Sequence, residues 1–536
     1  MRDPGDQLLK KQTEAERRHE LERSQAGQEI RVPDTAGVVP EGVCFPIDSI
    51  SLAGVKKLDA AIFESTLAEF SNQCLGPISI GNLIQRLAAI YADAGYITTR
   101  AYVPAQDISS RVLKIEVLEG KVEAYIYQSA RNGGEPQPGR AKKLKSAIPL
   151  QPGDVFQLRD LEHGLEQMNR VPSSRVNANL IAGEAPGTTR IVVTEQKSDT
   201  VRGSVGIDNS GDEESGKNQI ILTLEADDIF RINDTLSLSF SSTRNSNAVA
   251  YSFSAPYRKW LFGLRGSYSE SLSPATATSD LFNQSSNLNL TAERLIYRDA
   301  RSKYFLYGGA HRYKNKRFIN ITPLQPQDRT TVSFGWKQEH RLEKSVVAVD
   351  TSFVVGAPFL GGESNLPDPD ETTPRAEFTK LEGRLTYVRP FENGSQLTVS
   401  VTGQLADTPL FSNEQISIGG WQSVRGYAGG AYSGDDGAYL RAELSFPGEQ
   451  LDWRKSGKRL EESWLPNPFV KAVGGIQPFV FFDAGYASNK AASTTSEMYS
   501  AGFGFNSRVG GTSFNGTLAV PLSSENDLKA GDVQDL

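Results

Sequence analysis

From about residue 200 onward the chain alternates apolar and polar side chains with a period of two, and no other feature constrains its fold as strongly. Leu236, Leu238 and Phe240 alternate with Ser237, Ser239 and Ser241, and Tyr251 and Phe253 with Ser252 and Ser254. Phe262, Leu264 and Tyr268 alternate with Arg265 and Ser267, and Leu288, Leu290 and Ala292 with Asn287, Asn289 and Thr291. Val332, Phe334 and Trp336 alternate with Ser333 and Lys337. Successive side chains of a strand point to opposite faces, so each segment has one apolar and one polar wall. A soluble sandwich could show a few such strands. Long strands in this number indicate a transmembrane antiparallel β-barrel, lipid outside and water inside. About fifteen strand-like segments can be counted, the last over roughly 497–508 and 512–522. Because such barrels normally have an even count, about sixteen strands are expected, and the last is not evident. The polar stretch Ser523–Leu536 stands where it would be.

Composition fits this reading. Apolar residues make up 38% of 536, low for a large soluble enzyme and ordinary for a barrel with a polar interior. No run of eighteen apolar residues appears, which excludes helical membrane spans. The net charge of −7 gives no support for a nucleic-acid partner. The start, Met1-Arg2-Asp3-Pro4, lacks an apolar export signal, so either a signal has been removed or the chain is cytosolic. Four scattered histidines (His19, His163, His311, His340) have no metal-ligand spacing, and two cysteines alone cannot build a zinc site. GxSxG and Walker motifs are absent. No catalytic residue, metal or cofactor is expected.

Ahead of the barrel the pattern is different. Residues 3–25 are dense in charge and suit a helix, with Asp3 as N-cap and Pro4 at the first helical position. Lys10/Glu14, Glu14/Arg18 and Arg18/Glu22 are opposite charges four apart, while Leu8, Leu9 and Leu21 are the few apolar residues. Such a helix suits a solvated tail, and equally a water-filled pore. Residues 26–42, punctuated by Gly27, Pro33, Gly37, Pro40 and Gly42, read as an extended linker. Over 43–121 the order is strand (Ile47, Ile50, Leu52), a helix with Ile62, Leu67 and Phe70, and a helix with Leu83, Leu87, Ile90 and Tyr91. Strands follow at Tyr102-Val103-Pro104 and Val112–Leu118. A similar module spans 122–199, with strands Val122–Tyr127, Val176–Ile181 and Arg190–Glu195 around the helix Leu158–Met168. Cys44 and Cys74 both fall in the first module. Joined, they would stabilise it by roughly 3–4 kcal/mol; the alternative is a pair of buried thiols.

Two segments in the barrel carry function. Residues 411–437 form a glycine-rich stretch between strands, containing Val424-Arg425-Gly426-Tyr427. In a simple pore this would be an extracellular loop with a surface arginine. The strand Phe479–Tyr486 carries Phe481, Asp483 and Gly485 on one face and Val480, Phe482 and Tyr486 on the other. A carboxylate on so apolar a strand cannot face lipid cheaply, so Asp483 should point inward and seek a cation.

Val424-Arg425-Gly426-Tyr427 matches the VRGY loop motif, and Phe481-Phe482-Asp483-Ala484-Gly485 the F-x-D-x-G strand motif, of two-partner secretion transporters, relatives of the BamA assembly factors. Cys44-Phe45-Pro46-Ile47, Cys74-Leu75-Gly76 and Gly95–Pro104 resemble the first POTRA module of haemolysin- and haemagglutinin-type exporters. The resemblance spans essentially the whole chain. It implies a barrel (200–536) behind two POTRA modules (43–121 and 122–199), a plug helix (1–25) and a loop (411–437) that folds inward so that Arg425 meets Asp483. It implies a location in the bacterial outer membrane with the POTRA modules in the periplasm. The partner would be a large unfolded exoprotein with a β-helical body, recognised through its N-terminal secretion domain and exported without ATP. Val201-Arg202-Gly203 repeats part of the loop motif without its tyrosine and is assigned no role. Competing readings are an insertase for other barrels, which would carry more POTRA modules and no plug, a diffusion porin, which would not need residues 43–198, and a surface adhesin, disfavoured because the soluble mass precedes the barrel.

Overall fold

The computed structural model describes residues 3–26, 30–31, 44–130, 141–212, 214–276, 278–427, 429, 431–448, 476–509 and 511–523. Residues 524–536, where the expected final strand would fall, lie outside the described residues.

In the first module Ser49–Ala53 pairs in parallel with Val112–Leu118, which pairs antiparallel with Arg100–Tyr102. The helices Ala61–Phe70 and Pro77–Asp93 bury Phe63, Leu83, Leu87 and Tyr91 against Leu113 and Ile115 of that sheet. The single strand expected to hold Ile47, Ile50 and Leu52 is two. Phe45–Ile47 leaves the sheet to pair with Gln73–Leu75, and the disulfide Cys44–Cys74 staples that pair. The strand expected through Pro104 stops at Tyr102, as befits a proline that has no N–H to give and restricts its predecessor.

The second module has Ser174–Ala182 antiparallel to Thr188–Lys197, which runs parallel to Lys121–Ser129. Leu158–Asn169 forms the expected helix, burying Leu161, Leu165 and Met168. A second helix, Ala141–Ala147, escapes sequence reading because it is short and carries three lysines. The linker contributes a strand of its own: Ile30–Arg31 adds in parallel to the outer edge of Ser174–Ala182, opposite Ala178 and Asn179.

Among the described residues the remainder forms one antiparallel sheet of sixteen strands, fifteen of them on a single path. Its path leads from Val201–Asp208 to Thr512–Pro521, each strand pairing with the next wall strand in the chain, and the two-residue strand Thr322–Pro323 pairs beside that path. The short inner ribbon of Ile416–Ile418 and Tyr432–Gly434 stands apart from the wall. Burial is inverted relative to a soluble domain. Leu224, Leu238, Phe262, Leu290 and Phe334 are exposed on the outside, while Ser239, Ser252, Ser267, Ser269 and Ser285 are buried inside. The alternation read from the sequence is therefore a lipid face and a lumen face.

The second module sits on the turns at one end of the sheet. Lys143, buried, reaches Glu195 at 2.7 Å and Asp228 at 2.9 Å, and Asp228 also takes Lys197 at 3.1 Å. Arg170 donates to Ser254 Oγ and to the carbonyl of Asn233. Glu166 receives Arg298 and Lys303; burial alone would push its carboxyl up, but these two cations outweigh burial and hold it at about 2. Burial drives the His163 imidazole down to about 4. It is therefore neutral, and its Nε2 lies 3.2 Å from the carbonyl of Arg258. The ends bearing these turns are the ends nearest the soluble modules, which orients the barrel.

Candidate functional site

Serines, asparagines and a few charges line the lumen, so a polar helix can be solvated there by the wall itself. The helix Pro4–Ala26 occupies it. Asp3 caps it, accepting from the N–H of Gly5 at 2.8 Å, and also receives the Ser269 hydroxyl at 2.5 Å from the wall. Lys11 reaches Asp208 at 3.0 Å and Ser210 at 2.7 Å. Gln12 donates to Ser239, and Glu16 receives Arg265 at 2.5 Å. Glu14 receives Arg384 at 2.9 Å, and Arg17 lies 3.7 Å from Asp350 on the same side of the lumen. The carboxylate of Glu14 thus goes to the wall as well as along its own helix, where it lies 3.8 Å from Arg17. Leu8 is the helix's main buried apolar residue, packed on Ala248 and Ala250.

The strands Gln396–Ala406 and Asp436–Ser445 are joined by residues 407–435, so Asp436 and Gly437, read as loop, belong to the wall. The connection turns into the barrel. Its root is tied by Asp435, fully buried, which accepts from the N–H of Leu410 (2.7 Å), the Gln415 amide (3.0 Å) and the N–H of Lys490 (2.7 Å). Beside it, buried Lys380 donates to the carbonyl of Glu414 at 2.9 Å and pairs with its carboxylate at 3.2 Å.

At the tip Arg425 is 5% exposed and Asp483 0%. Arg425 Nε donates to Asp483 Oδ2 at 2.7 Å, Nη2 to Oδ1 at 2.9 Å, and the Arg425 backbone N–H to Oδ2 at 3.1 Å. Nη1 reaches Glu443 Oε2 at 3.1 Å. The guanidinium carbon lies 3.5 Å from the ring centre of Phe481, so the cation has a two-point acceptor at its edge and a π-face beneath. Arg441 stands 3.8 Å from the same carboxylate.

The two sequence motifs acquire a physical meaning together. Gly426 has φ +89°, a conformation only glycine adopts freely, and it turns the chain just past the arginine. A Cβ on Gly485 would come within 2.8 Å of Val424 and 3.1 Å of Ile418, so the glycine of the strand motif makes room for the valine of the loop motif. Val424, Ile418 and Tyr427 are buried with Ala487 and Met498. The Tyr427 hydroxyl donates to the carbonyl of Tyr499 at 2.9 Å. Trp421, on the same loop, lies 5.5 Å from Lys11 Nζ of the helix.

Arg425, Asp483, Val424, Gly426, Tyr427, Phe481 and Gly485 therefore converge in the lumen, while Cys44 and Cys74 lie in the first soluble module. Sequence reasoning missed Glu443, Arg441 and Asp435. Glu443 and Arg441 were within reach, because Tyr439, Arg441 and Glu443 alternate with Leu440, Ala442 and Leu444 and so share the inward face with their register partners Phe481 and Asp483. Asp435 carries no such signal: its role depends on three backbone and side-chain groups distant in sequence.

Residues 187–508 match the family model described as haemolysin secretion/activation protein ShlB/FhaC/HecB. Residues 45–120 match a POTRA domain of ShlB type, and 121–181 a further POTRA domain. The chain is 29% identical over 435 residues to the outer membrane transporter CdiB of Dickeya dadantii, covering 79% of this chain and 76% of that protein. It is 30% identical over 467 residues to a CdiB of Escherichia coli, covering 83% and 77%. The solved structure of CdiB from Escherichia coli superposes with a TM-score of 0.84 at 25% identity, covering 99% of this chain and 97% of that one.

Proposed function

This chain belongs to the ShlB/FhaC/HecB haemolysin secretion/activation family and is an outer-membrane transporter of two-partner secretion, its two POTRA modules in the periplasm; from that premise we propose how its pore is held shut and what opens it. Pro4–Ala26 is the plug, and Arg425–Asp483 is the lock that keeps the loop inside the lumen. The cargo is an unfolded exoprotein that presents its N-terminal secretion domain to the POTRA modules and adds to a free or weakly held sheet edge.

One observation carries this reading: a single segment runs from the helix inside the pore to Ile30–Arg31 on the edge of Ser174–Ala182. A cargo strand competing for that edge has every ladder bond to gain, whereas Ile30–Arg31 contributes two residues of pairing. Displacing them removes the tether from the plug and couples cargo arrival in the periplasm to opening of the pore. The outer-membrane lipid bears on the apolar wall throughout.

The test is export itself. A large exoprotein, where one is encoded beside this chain, is co-expressed with and without it, and the medium is assayed. Cargo in the medium only when the transporter is present supports the reading. Cargo retained in the periplasm regardless, together with poor assembly of other barrels when this chain is removed, would move it to an insertase.

A further inference from the structure

The outward face of the strand Ser302–Ile319 changes character partway along its length. From the periplasmic end its outward positions are Tyr304, Leu306, Gly308 and Ala310, and then Arg312, Lys314 and Lys316. Leu306 is exposed, and so are Leu290 and Val332, the ladder partners of Ala310 on either side. The alternate residues Tyr313 and Asn315 are buried inward, so the three cations stand on the outer wall.

A cation on a lipid-facing position is disfavoured, most at the midplane and least at the interface. Three in succession therefore mark where this face leaves hydrocarbon. Tyr304, with Tyr297 (5.7 Å between ring centres) and Trp336 (6.5 Å), forms an aromatic girdle at the periplasmic side. About ten residues of tilted strand cross an apolar band about 25 Å tall, and ten steps from Tyr304 arrive at Lys314. The cations thus stand at the level of the outer leaflet's headgroups.

The local anions neutralise one of the three. Asp328, the Cα partner of Lys314 on the following strand, is engaged by Arg312 at 3.0 Å, and Arg312 is further fixed by Thr330 at 2.9 Å, so this carboxylate is spent on Arg312. Glu270, two strands away, accepts from Tyr268 and Gln284. Lys314 and Lys316 are exposed and have no ion-pair partner among the described residues. Their Cα partners on the preceding strand are Ser286 and Gln284, both neutral hydrogen-bonding groups.

We propose that Lys314 and Lys316, with Arg312 beside them, form a binding site on the outer wall for the phosphate groups of the phosphorylated glycolipid of the outer leaflet. Two ammonium groups two residues apart on one face can bridge the phosphates of one headgroup, and Ser286 and Gln284 offer hydrogen bonds to its sugars. The site is independent of the lumen and of any cargo. It fixes the depth and rotation of the barrel wall, on the side away from the lock, against a rigid leaflet.

The full chain is reconstituted in phosphatidylcholine nanodiscs containing bis-phosphorylated lipid A, its dephosphorylated form, or phosphatidylglycerol, and co-retained lipid is counted by native mass spectrometry. Heat-modifiable mobility checks that the barrel is folded. The Lys314→Gln/Lys316→Gln double variant is expected to retain about tenfold less bis-phosphorylated lipid A than the parent. It should not differ for the dephosphorylated form, and Lys344→Gln, on a periplasmic turn, should leave retention unchanged. Equal retention by parent and double variant would overturn the site. Equal retention by the parent of phosphatidylglycerol and lipid A would also overturn it, leaving only general attraction to anionic lipid.

Discussion

The helix Pro4–Ala26 and the inward loop fill the same lumen by opposite means. Pro4–Ala26 is held by dispersed polar contacts, many of them half exposed, and, among its described side chains, by the well-buried Leu8. The loop is held by a buried arginine with two carboxylates, a ring beneath it and an apolar cluster of its own. Exposed ion pairs are worth about 0–1 kcal/mol each. Removing one partner of a buried pair costs about 3–5 kcal/mol, because the other charge is left without a partner. On the proposed function the helix is the part that leaves and the loop the part that stays.

The sharpest way to break that contrast is at the lock. Arg425→Ala leaves Asp483 buried without its main partner, and secretion should fall at least about a hundredfold while the barrel still inserts. Secretion assay and heat-modifiability of the same membranes check this. Arg425→Lys should rescue only in part, since an ammonium cannot make the two-point contact. Normal export by Arg425→Ala would reduce the lock to a packing detail.

Removing residues 1–26 tests the other half. Planar-bilayer conductance should rise severalfold, and secretion should persist because the loop still holds its place. An unchanged conductance would mean that the helix does not close the pore.

Much of this contrast was legible in the sequence, and the reason is local. Period-two alternation is a property of neighbouring residues, so the barrel wall, Asp483's inward direction and the face shared by Phe481 and Gly485 could all be read from short windows. Glu443 needed only the same reading applied one strand earlier. What could not be read depends on contacts between distant segments. The split of the first strand at Ile47 follows from the Cys44–Cys74 pairing. Ile30–Arg31 is too short to announce itself as a strand, and it exists only because an edge is there to receive it. Asp435 is one aspartate among many until Leu410, Gln415 and Lys490 arrive around it.

Asp435 gives the next prediction. Asp435→Asn keeps the shape but replaces a charged acceptor of three donors with a neutral amide, half of which is itself a donor. The loop root should loosen while the Arg425–Asp483 contact stays intact, lowering secretion by about tenfold or less. Proteolysis of the loop in intact cells would report the loosening, and an unaltered cleavage rate would remove Asp435 from the mechanism.

The smallest effect is also the most discriminating. Glu14→Gln deletes a charge pair with Arg384 in which the glutamate side chain is 44% exposed. A contact of that kind is worth about 0.2–1 kcal/mol, so open probability should rise by no more than about fivefold. Lys11→Gln, which breaks a pair with Asp208, should act the same way. The two share no partner, so the double variant should show close to the product of the single effects. At the lock the opposite holds: Arg425→Ala and Asp483→Ala remove the same contact, and together they should be scarcely worse than either alone. Raising the salt concentration should imitate the Glu14 and Lys11 variants and leave the Arg425 phenotype unmoved, because screening reaches exposed pairs and not buried ones. Additive, salt-sensitive effects at the helix and non-additive, salt-resistant ones at the loop would separate a part designed for release from one designed for retention; coupling between Glu14 and Lys11 would mean the helix is held as a unit and leaves only by a concerted step.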